Sequence, residues 1–146
     1  MFSSPRLCLA AALALVTPAP AFAQDTNSPV LMLELNAATP TENQGCRLTM
    51  VTTSRLEQTL ERAAWQVAIF DSNGMVQALP ILDFGTLLGG KTKVAMFELP
   101  GTDCTAIGRI VVNDVAECRA QDGTDLRGQC LTGLETQSRS DIDFGL

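Results

Sequence analysis

The side chains that run most enzyme chemistry near neutral pH are missing from this chain, which contains no histidine and no tyrosine. Without an imidazole, Ser-His-Asp and Cys-His nucleophilic arrangements fall away, and so do the usual zinc ligand sets and the commonest general base. Carboxylates, two lysines and cysteines remain. Asp71 and Asp83 are the acids inside apolar stretches, and so the candidate pair for glycosidase-like acid/base work. The simpler role for each is to start a turn by accepting hydrogen bonds from backbone amides ahead of it. A Ser-Lys dyad would have to use Lys91 or Lys93. Both follow a Gly-Gly turn at a strand start, where a lysine ordinarily guards a sheet edge. Asp122 and Asp125, in Asp-Gly-Thr-Asp, could offer oxygens to calcium, but the spacing and distal bidentate glutamate of an EF-hand loop are absent. Gly89-Gly90-Lys91-Thr92 looks like the end of a phosphate loop, yet no helix is expected after it. The chain therefore reads as a non-enzyme with no cofactor and no metal.

Cysteine is the residue type with the clearest role. Of five cysteines, Cys8 falls in an apolar leader, which leaves Cys46, Cys104, Cys118 and Cys130. An even number in an exported domain reads as two disulfides. Three pairings are possible. Cys46 to Cys104 with Cys118 to Cys130 is favoured, because the second pair flanks a short polar loop and the first then joins strand-like segments. A zinc site would need closely spaced cysteine pairs, and there are none.

Export is read from the first residues. Met1 to Arg6 carries one positive side chain, Leu7 to Val16 is an apolar run of roughly ten residues, and Thr17 to Pro20 breaks it. Ala21-Phe22-Ala23 offers small residues to a signal peptidase, so cleavage after Ala23 is expected. The run is short for a hydrocarbon core of about 30 Å. Arg6 has no arginine neighbour, which favours the general secretory route over the twin-arginine one. The expected organisation is a signal peptide over 1–23, a flexible lead-in over 24–29 and a single domain over 30–146. The net charge is −6, and Lys91 and Lys93 are the only lysines. Nucleic acid and anionic lipid, which call for clustered positive charge, are thus poor partners. No membrane span is expected after cleavage.

The elements that would position these residues centre on Trp65 to Val76. Trp65, Val67 and Ile69 alternate with Gln66, Ala68 and Phe70, as a strand requires. Asp71 to Gly74 then supplies an Asn-Gly reversal with positive φ values, and Met75 to Leu79 returns as the partner strand. Trp65 is expected to be a core plug near a disulfide rather than a carbohydrate platform. Other expected strands are Val30 to Asn36, Cys46 to Thr53, Lys91 to Leu99, Ala106 to Val115 and an edge strand over Thr132 to Ser138. Ile81 to Leu88 reads as an irregular or short strand crossing. Ser54 to Arg62 reads as a loop in preference to a helix, and Glu117 to Arg127 as a loop or short helix. The tail from Asp141 to Leu146 could dock or fray. About seven short strands with frequent turn signals predict an all-β fold, an immunoglobulin-like antiparallel β-sandwich.

Trp65-Gln-Val-Ala-Ile-Phe-Asp-Ser-Asn-Gly74-Met-Val, followed by Leu87-Leu-Gly-Gly-Lys-Thr92, resembles the exported immunoglobulin-like modules of FxLYD type over roughly Cys46 to Leu99. It departs from them in its cysteines and in the insertion from Ser54 to Arg62. Leu33-Glu-Leu-Asn36, Cys46-Arg-Leu48, Phe70-Asp71, Asp103-Cys-Thr-Ala-Ile-Gly-Arg-Ile110 and Cys130 resemble a family of small exported alphaproteobacterial proteins. Its members are often labelled as carrying a twin-arginine signal. Neither resemblance implies a catalytic residue. Together these readings predict a non-catalytic module of the periplasm or the secreted fraction that binds another periplasmic or envelope protein. The alternative is a small secreted hydrolase inhibitor, acting through the Cys118 to Cys130 loop, or a carboxylate-based hydrolase.

Overall fold

The computed structural model describes residues 29–146, so the expected leader, its cleavage site and most of the lead-in lie outside the described residues. Nine strands follow: β1 (Leu31–Pro40), β2 (Cys46–Ser54), β3 (Leu60–Asp71), β4 (Val76–Ala78), β5 (Ile81–Leu87), β6 (Thr92–Leu99), β7 (Ile107–Ala120), β8 (Leu134–Ser138) and β9 (Asp143–Gly145). One short helix, α1 (Arg127–Thr132), separates β7 from β8. The first sheet has the order β6-β2-β1-β8. The second runs from β4 and β5, which share one edge of β3, through β7 to β9. This is a two-layer, all-β sandwich with two disulfides.

Alternation explains which faces meet. Leu31, Leu33 and Leu35 of β1 and Leu48 and Met50 of β2 are buried, and they face Trp65, Val67 and Ile69 of β3 across a single core. Residues between them in sequence point outward, because successive side chains of a strand leave opposite faces. The expected faces of β3 and β6 match those observed: Ala95, Phe97 and Leu99 turn inward, while Val94 and Met96 turn out.

The opening hairpin differs in its turn. Gly74 has φ +80, whereas Asn73 is not among the positive-φ residues. A single left-handed glycine, not an Asn-Gly pair, reverses the chain. Asp71 holds the turn: its Oδ1 accepts from the amides of Asn73 and Met75, both at 2.9 Å, and its own amide donates to the Met75 carbonyl. Gly74→Ala is expected to cost about 1–2 kcal/mol, since nothing crowds the added Cβ and only the backbone conformation resists it. A urea-midpoint shift at constant m-value would measure this.

After the turn, the return strand is shorter than expected and is interrupted. β4 spans Val76 to Ala78, then Leu79-Pro80 breaks the ladder, and β5 resumes along the same edge of β3. Val67 still donates to the Pro80 carbonyl at 3.0 Å, so a prolyl residue without an N–H is tolerated at this edge. Of the two readings open for this stretch, Ile81 to Leu87 is thus the short strand, paired with β3.

β7 is longer than alternation suggested. Its inward residues are Ile107, Ile110, Val112, Val115 and Cys118, separated by three, two, three and three positions. The β3–β7 pairing has four register shifts, and each bulge adds a residue that breaks the period of two. The strand therefore continues past Val115 to Ala120. Glu117 to Ala120, expected in a loop or short helix, completes it, and the helix begins only at Arg127. Between Ser54 and Arg62 there is no helix, but Leu60 to Arg62 already belong to β3. The tail docks: Ile142 and Phe144 are buried and β9 pairs with β7. Two pairings, β1–β8 and β7–β9, are parallel, an exception to the expected antiparallel pattern.

The disulfides are Cys46–Cys104 and Cys118–Cys130, with Cα separations of 4.9 and 6.4 Å. The first ties β2 of one sheet to a 3-10 turn at Cys104–Ala106 that leads into β7 of the other. The second ties β7 to α1. Two such bonds belong to an oxidising, non-cytoplasmic compartment. Among the described residues, no helix is long and apolar enough to cross a membrane.

Candidate binding surface

The acids singled out from the sequence are not brought together. Asp83 lies opposite Ala64 of β3, and Asp71 lies seven residues further along that strand, roughly 20 Å away at the usual strand rise. Asp83 is held by Arg62, whose Nη2 and Nε donate to Oδ2 at 2.6 and 3.0 Å, while the Gly85 amide donates to Oδ1. The Arg62 hydrogen bond, foremost, keeps the Asp83 carboxyl below its ordinary range. Arg62 also reaches Glu117 at 3.0 Å, and Arg119 joins Glu117 to Glu61. Asp83–Arg62–Glu117–Arg119–Glu61 is a chain of alternating charge across the outside of the second sheet.

Asp122 and Asp125 are similarly engaged. Asp122 accepts from the Thr124 amide, and both oxygens of Asp125 face the Arg127 guanidinium at 2.8–3.1 Å. These hydrogen bonds push the Asp125 pKa down to about 2. Among the described residues, no group of three or more His, Cys, Asp or Glu is arranged to hold a metal. The Asp125 shift has a testable sign. A depressed carboxylate contributes stability above its unfolded value and loses it as pH falls toward the folded value. The Asp125 carboxyl carbon is expected to titrate by NMR near pH 2, and Arg127→Ala, which removes the guanidinium but keeps the residue-127 amide on Oδ1, should raise it toward the ordinary range.

Gly85 stands at the spacing of a phosphate loop's first glycine relative to Gly90-Lys91-Thr92. However, Gly85 lies in β5 and Thr92 opens β6, so no helix N-terminus presents amides to a phosphate. Gly89 has a packing role instead. A Cβ there would lie 2.5 Å from the Glu57 carbonyl oxygen and 2.8 Å from that of Leu56. Its hydrogen lets the turn seat against the 55–59 loop and its buried Leu56. Gly89→Ala is expected to cost about 1–3 kcal/mol through this overpacking, read from the thermal midpoint.

Trp65 is fully buried, so it offers no platform to a sugar. Its Nε1 donates to the Cys130 carbonyl at 3.3 Å, and its ring meets Phe84 edge-on at 5.6 Å. Alternation alone left one carboxylate unremarked. Glu34 is buried on the outer side of the first sheet, where it accepts from Asn36 and from Arg139 of the C-terminal segment, each at 2.9 Å. The Asn36 hydrogen bond is the main influence lowering its pKa.

With the polar candidates occupied, the unusual surface is apolar. Among the described residues, nine large apolar side chains are exposed: Met75, Val76, Leu79, Ile81, Leu88, Val94, Met96, Leu131 and Leu146. The first seven fall between residues 75 and 96, on β4, β5 and β6 and their connections. The edges β5 and β6 of the two sheets lie side by side, with Ile81 turned to the outer face of the second sheet and Val94 and Met96 to that of the first. Lys93 bridges the two edges, its Nζ donating to the carbonyls of Phe84 and Thr86. Thr86, Leu87, Leu88, Lys91, Thr92 and Lys93 line a recess of about 390 Å³ there. Both lysines, Lys91 and Lys93, thus line this recess.

No protein-family model matches the chain, and no curated protein matches it by sequence. A solved structure of IrmA from Escherichia coli is similar in fold, with a TM-score of 0.56 over 73% of this chain and 89% of that one. The two are 7% identical, so the likeness extends to the fold alone.

Proposed function

We propose that this protein is a non-catalytic binding or assembly module of the periplasm, exported by the general secretory route, and that it holds a protein partner through its β4–β5–β6 side. The observation that carries this reading is that, among the described residues, seven of the nine exposed large apolar side chains fall within residues 75–96, on the edge strands β4, β5 and β6 and the turns joining them. Isolated surface hydrophobics are ordinary, but a run of them along free sheet edges is a feature of interaction sites. The two disulfides are in keeping with export. So are the resemblances to FxLYD-type modules and to small exported alphaproteobacterial proteins.

Catalysis finds little support, because Asp71 is occupied in a turn and Asp83 in an ion-paired chain. The inhibitor alternative would use the loop between Cys118 and Cys130. That loop folds back on itself through Ala120 to Thr124 and Leu126 to Cys118 backbone bonds, so it presents no extended segment to a protease cleft.

Affinity purification of the oxidised protein from envelope extract tests the reading. A stoichiometric partner is expected, lost with Ile81→Lys or Val94→Lys and kept with Glu135→Lys on the far edge. Loss with Glu135→Lys alone would contradict it. So would turnover of any substrate that Asp71→Asn or Asp83→Asn abolishes while the fold persists.

A further inference from the structure

The turn that joins β5 to β6 is held firmly from behind. The Lys91 amide donates to the Leu88 carbonyl at 3.3 Å, and the Lys91 carbonyl accepts from the Ser54 amide at 2.9 Å. Gly89 seats against the carbonyls of Leu56 and Glu57. Contacts of this kind fix the turn before anything binds, and small-molecule sites are usually preformed in the same way. In front of the turn lies the recess of about 390 Å³, within the size range of ligand pockets and near its lower end. Leu87 gives it a buried apolar surface, and Leu88, 56% exposed, adds a free one.

Charge singles this recess out. Among the described residues, every arginine except Arg109 pairs with a carboxylate, and Arg109 lies over the Phe70 ring. Neither lysine has a carboxylate within ion-pair distance among the described residues. The Lys93 ammonium has three N–H groups. The carbonyls of Phe84 and Thr86 take two of them, which leaves one to donate. Asp83, which feels the Lys93 charge, is already held by Arg62. On a chain of net charge −6, an apolar recess with two such cations calls for an anion that is also apolar.

We propose that the recess binds one aliphatic carboxylate, a medium-chain fatty acid in its soluble monomeric form. The carboxylate lies between Lys91 and Lys93, and the chain lies against Leu87 and Leu88. A single molecule of this kind meets both demands. Its oxygens accept charge-assisted hydrogen bonds from the ammonium groups, and its methylenes leave water against leucine. An inorganic anion would serve the lysines without the leucines, and a neutral alkane the reverse. A bilayer of anionic lipid is disfavoured, because the net negative charge of the chain repels such a surface. This goes beyond the protein-partner reading and does not depend on it.

Isothermal titration calorimetry of the oxidised export product with sodium decanoate, below its micelle concentration, tests this. Saturable binding of one molecule per chain is expected. Octanoate should bind roughly tenfold more weakly, since it buries two fewer methylenes. Decanol, with the chain but no charge, should also bind roughly tenfold more weakly, having lost the charge-assisted hydrogen bonds. Lys91→Glu should weaken decanoate by at least roughly tenfold without moving the thermal midpoint, because the Lys91 side chain makes no hydrogen bond among the described residues. Arg109→Ala, which removes a cation elsewhere on the surface, should bind decanoate like the parent. No saturation below the micelle concentration overturns the proposal. So does equal binding by the parent and Lys91→Glu, or a loss with Arg109→Ala as large as that with Lys91→Glu. Capture of an envelope protein by the same preparations bears only on the partner reading, so the two can fail separately.

Discussion

Trp65→Ala is expected to destabilise the domain by about 3–5 kcal/mol, the range for removing a large aromatic side chain from a packed core. Three losses combine. The side chain is fully buried, so its apolar surface no longer leaves water on folding. The Phe84 ring, which it meets edge-on and which in turn meets Phe97 at 5.1 Å, loses one side of its packing. The Cys130 carbonyl loses the indole N–H that donates to it. Trp65→Phe separates these contributions, because it refills most of the space but leaves the carbonyl unpaired. Its expected cost is about 1–3 kcal/mol, that of one buried unsatisfied polar group. Since Trp65 is the only tryptophan, urea denaturation followed by circular dichroism is the suitable measurement. A loss below about 1 kcal/mol for Trp65→Ala, within the range of surface changes, would place the indole outside the core.

Replacing Cys46 and Cys104 together by alanine is expected to cost about 4 kcal/mol in the chain-entropy description. The bond spans a sequence separation of 58 and encloses β2 to β6, so its loss frees much of the unfolded chain. It also joins the two sheets at one end, linking the start of β2 to the turn before β7. The Cys118–Cys130 bond spans 12 positions, and its removal is expected to cost about 3 kcal/mol by the same reasoning. Together these approach the whole stability of a typical domain, roughly 5–15 kcal/mol. Reduction under mild conditions should therefore unfold the protein, with the urea midpoint falling in two unequal steps for the two double-alanine variants. A fully reduced chain as resistant to urea as the oxidised one would contradict the structural role of the bonds.

The parts of this fold that were legible in the sequence are those where alternation runs uninterrupted. β1, β2, β3 and β6 show their buried faces directly, and the cysteine spacing suggested the observed pairing. What alternation could not show is β7 beyond Val115, because three-residue steps at successive bulges erase the period that marks a strand. α1 is six residues long and holds Gly128 and Thr132, too short for a helical period to emerge. β5 carries Gly85 in a left-handed conformation, which reads as a break although the pairing to β3 continues. The parallel pairings of β8 and β9 depend on where the chain returns after α1, a long-range matter with no local signature.

The proposed binding side is only half visible in the sequence. Lys91 and Lys93 read as edge residues, but alternation assigns residues to faces without saying which face stays uncovered. Val94 and Met96 could as easily have been core, and they are exposed because no further layer among the described residues covers the outer face of the first sheet. The candidate acids failed for the opposite reason. A sequence lists carboxylates without their partners, and Arg62, Arg127 and the Asn73 amide are the groups that occupy them.

The most direct measurement is photo-crosslinking in the living cell from a photoreactive residue at position 96, compared with one at position 135 on the opposite edge of the same sheet. An adduct of defined mass is expected from position 96 and none from position 135. No adduct from position 96, or the same adduct from both, would contradict a working surface on the β6 side of the sandwich.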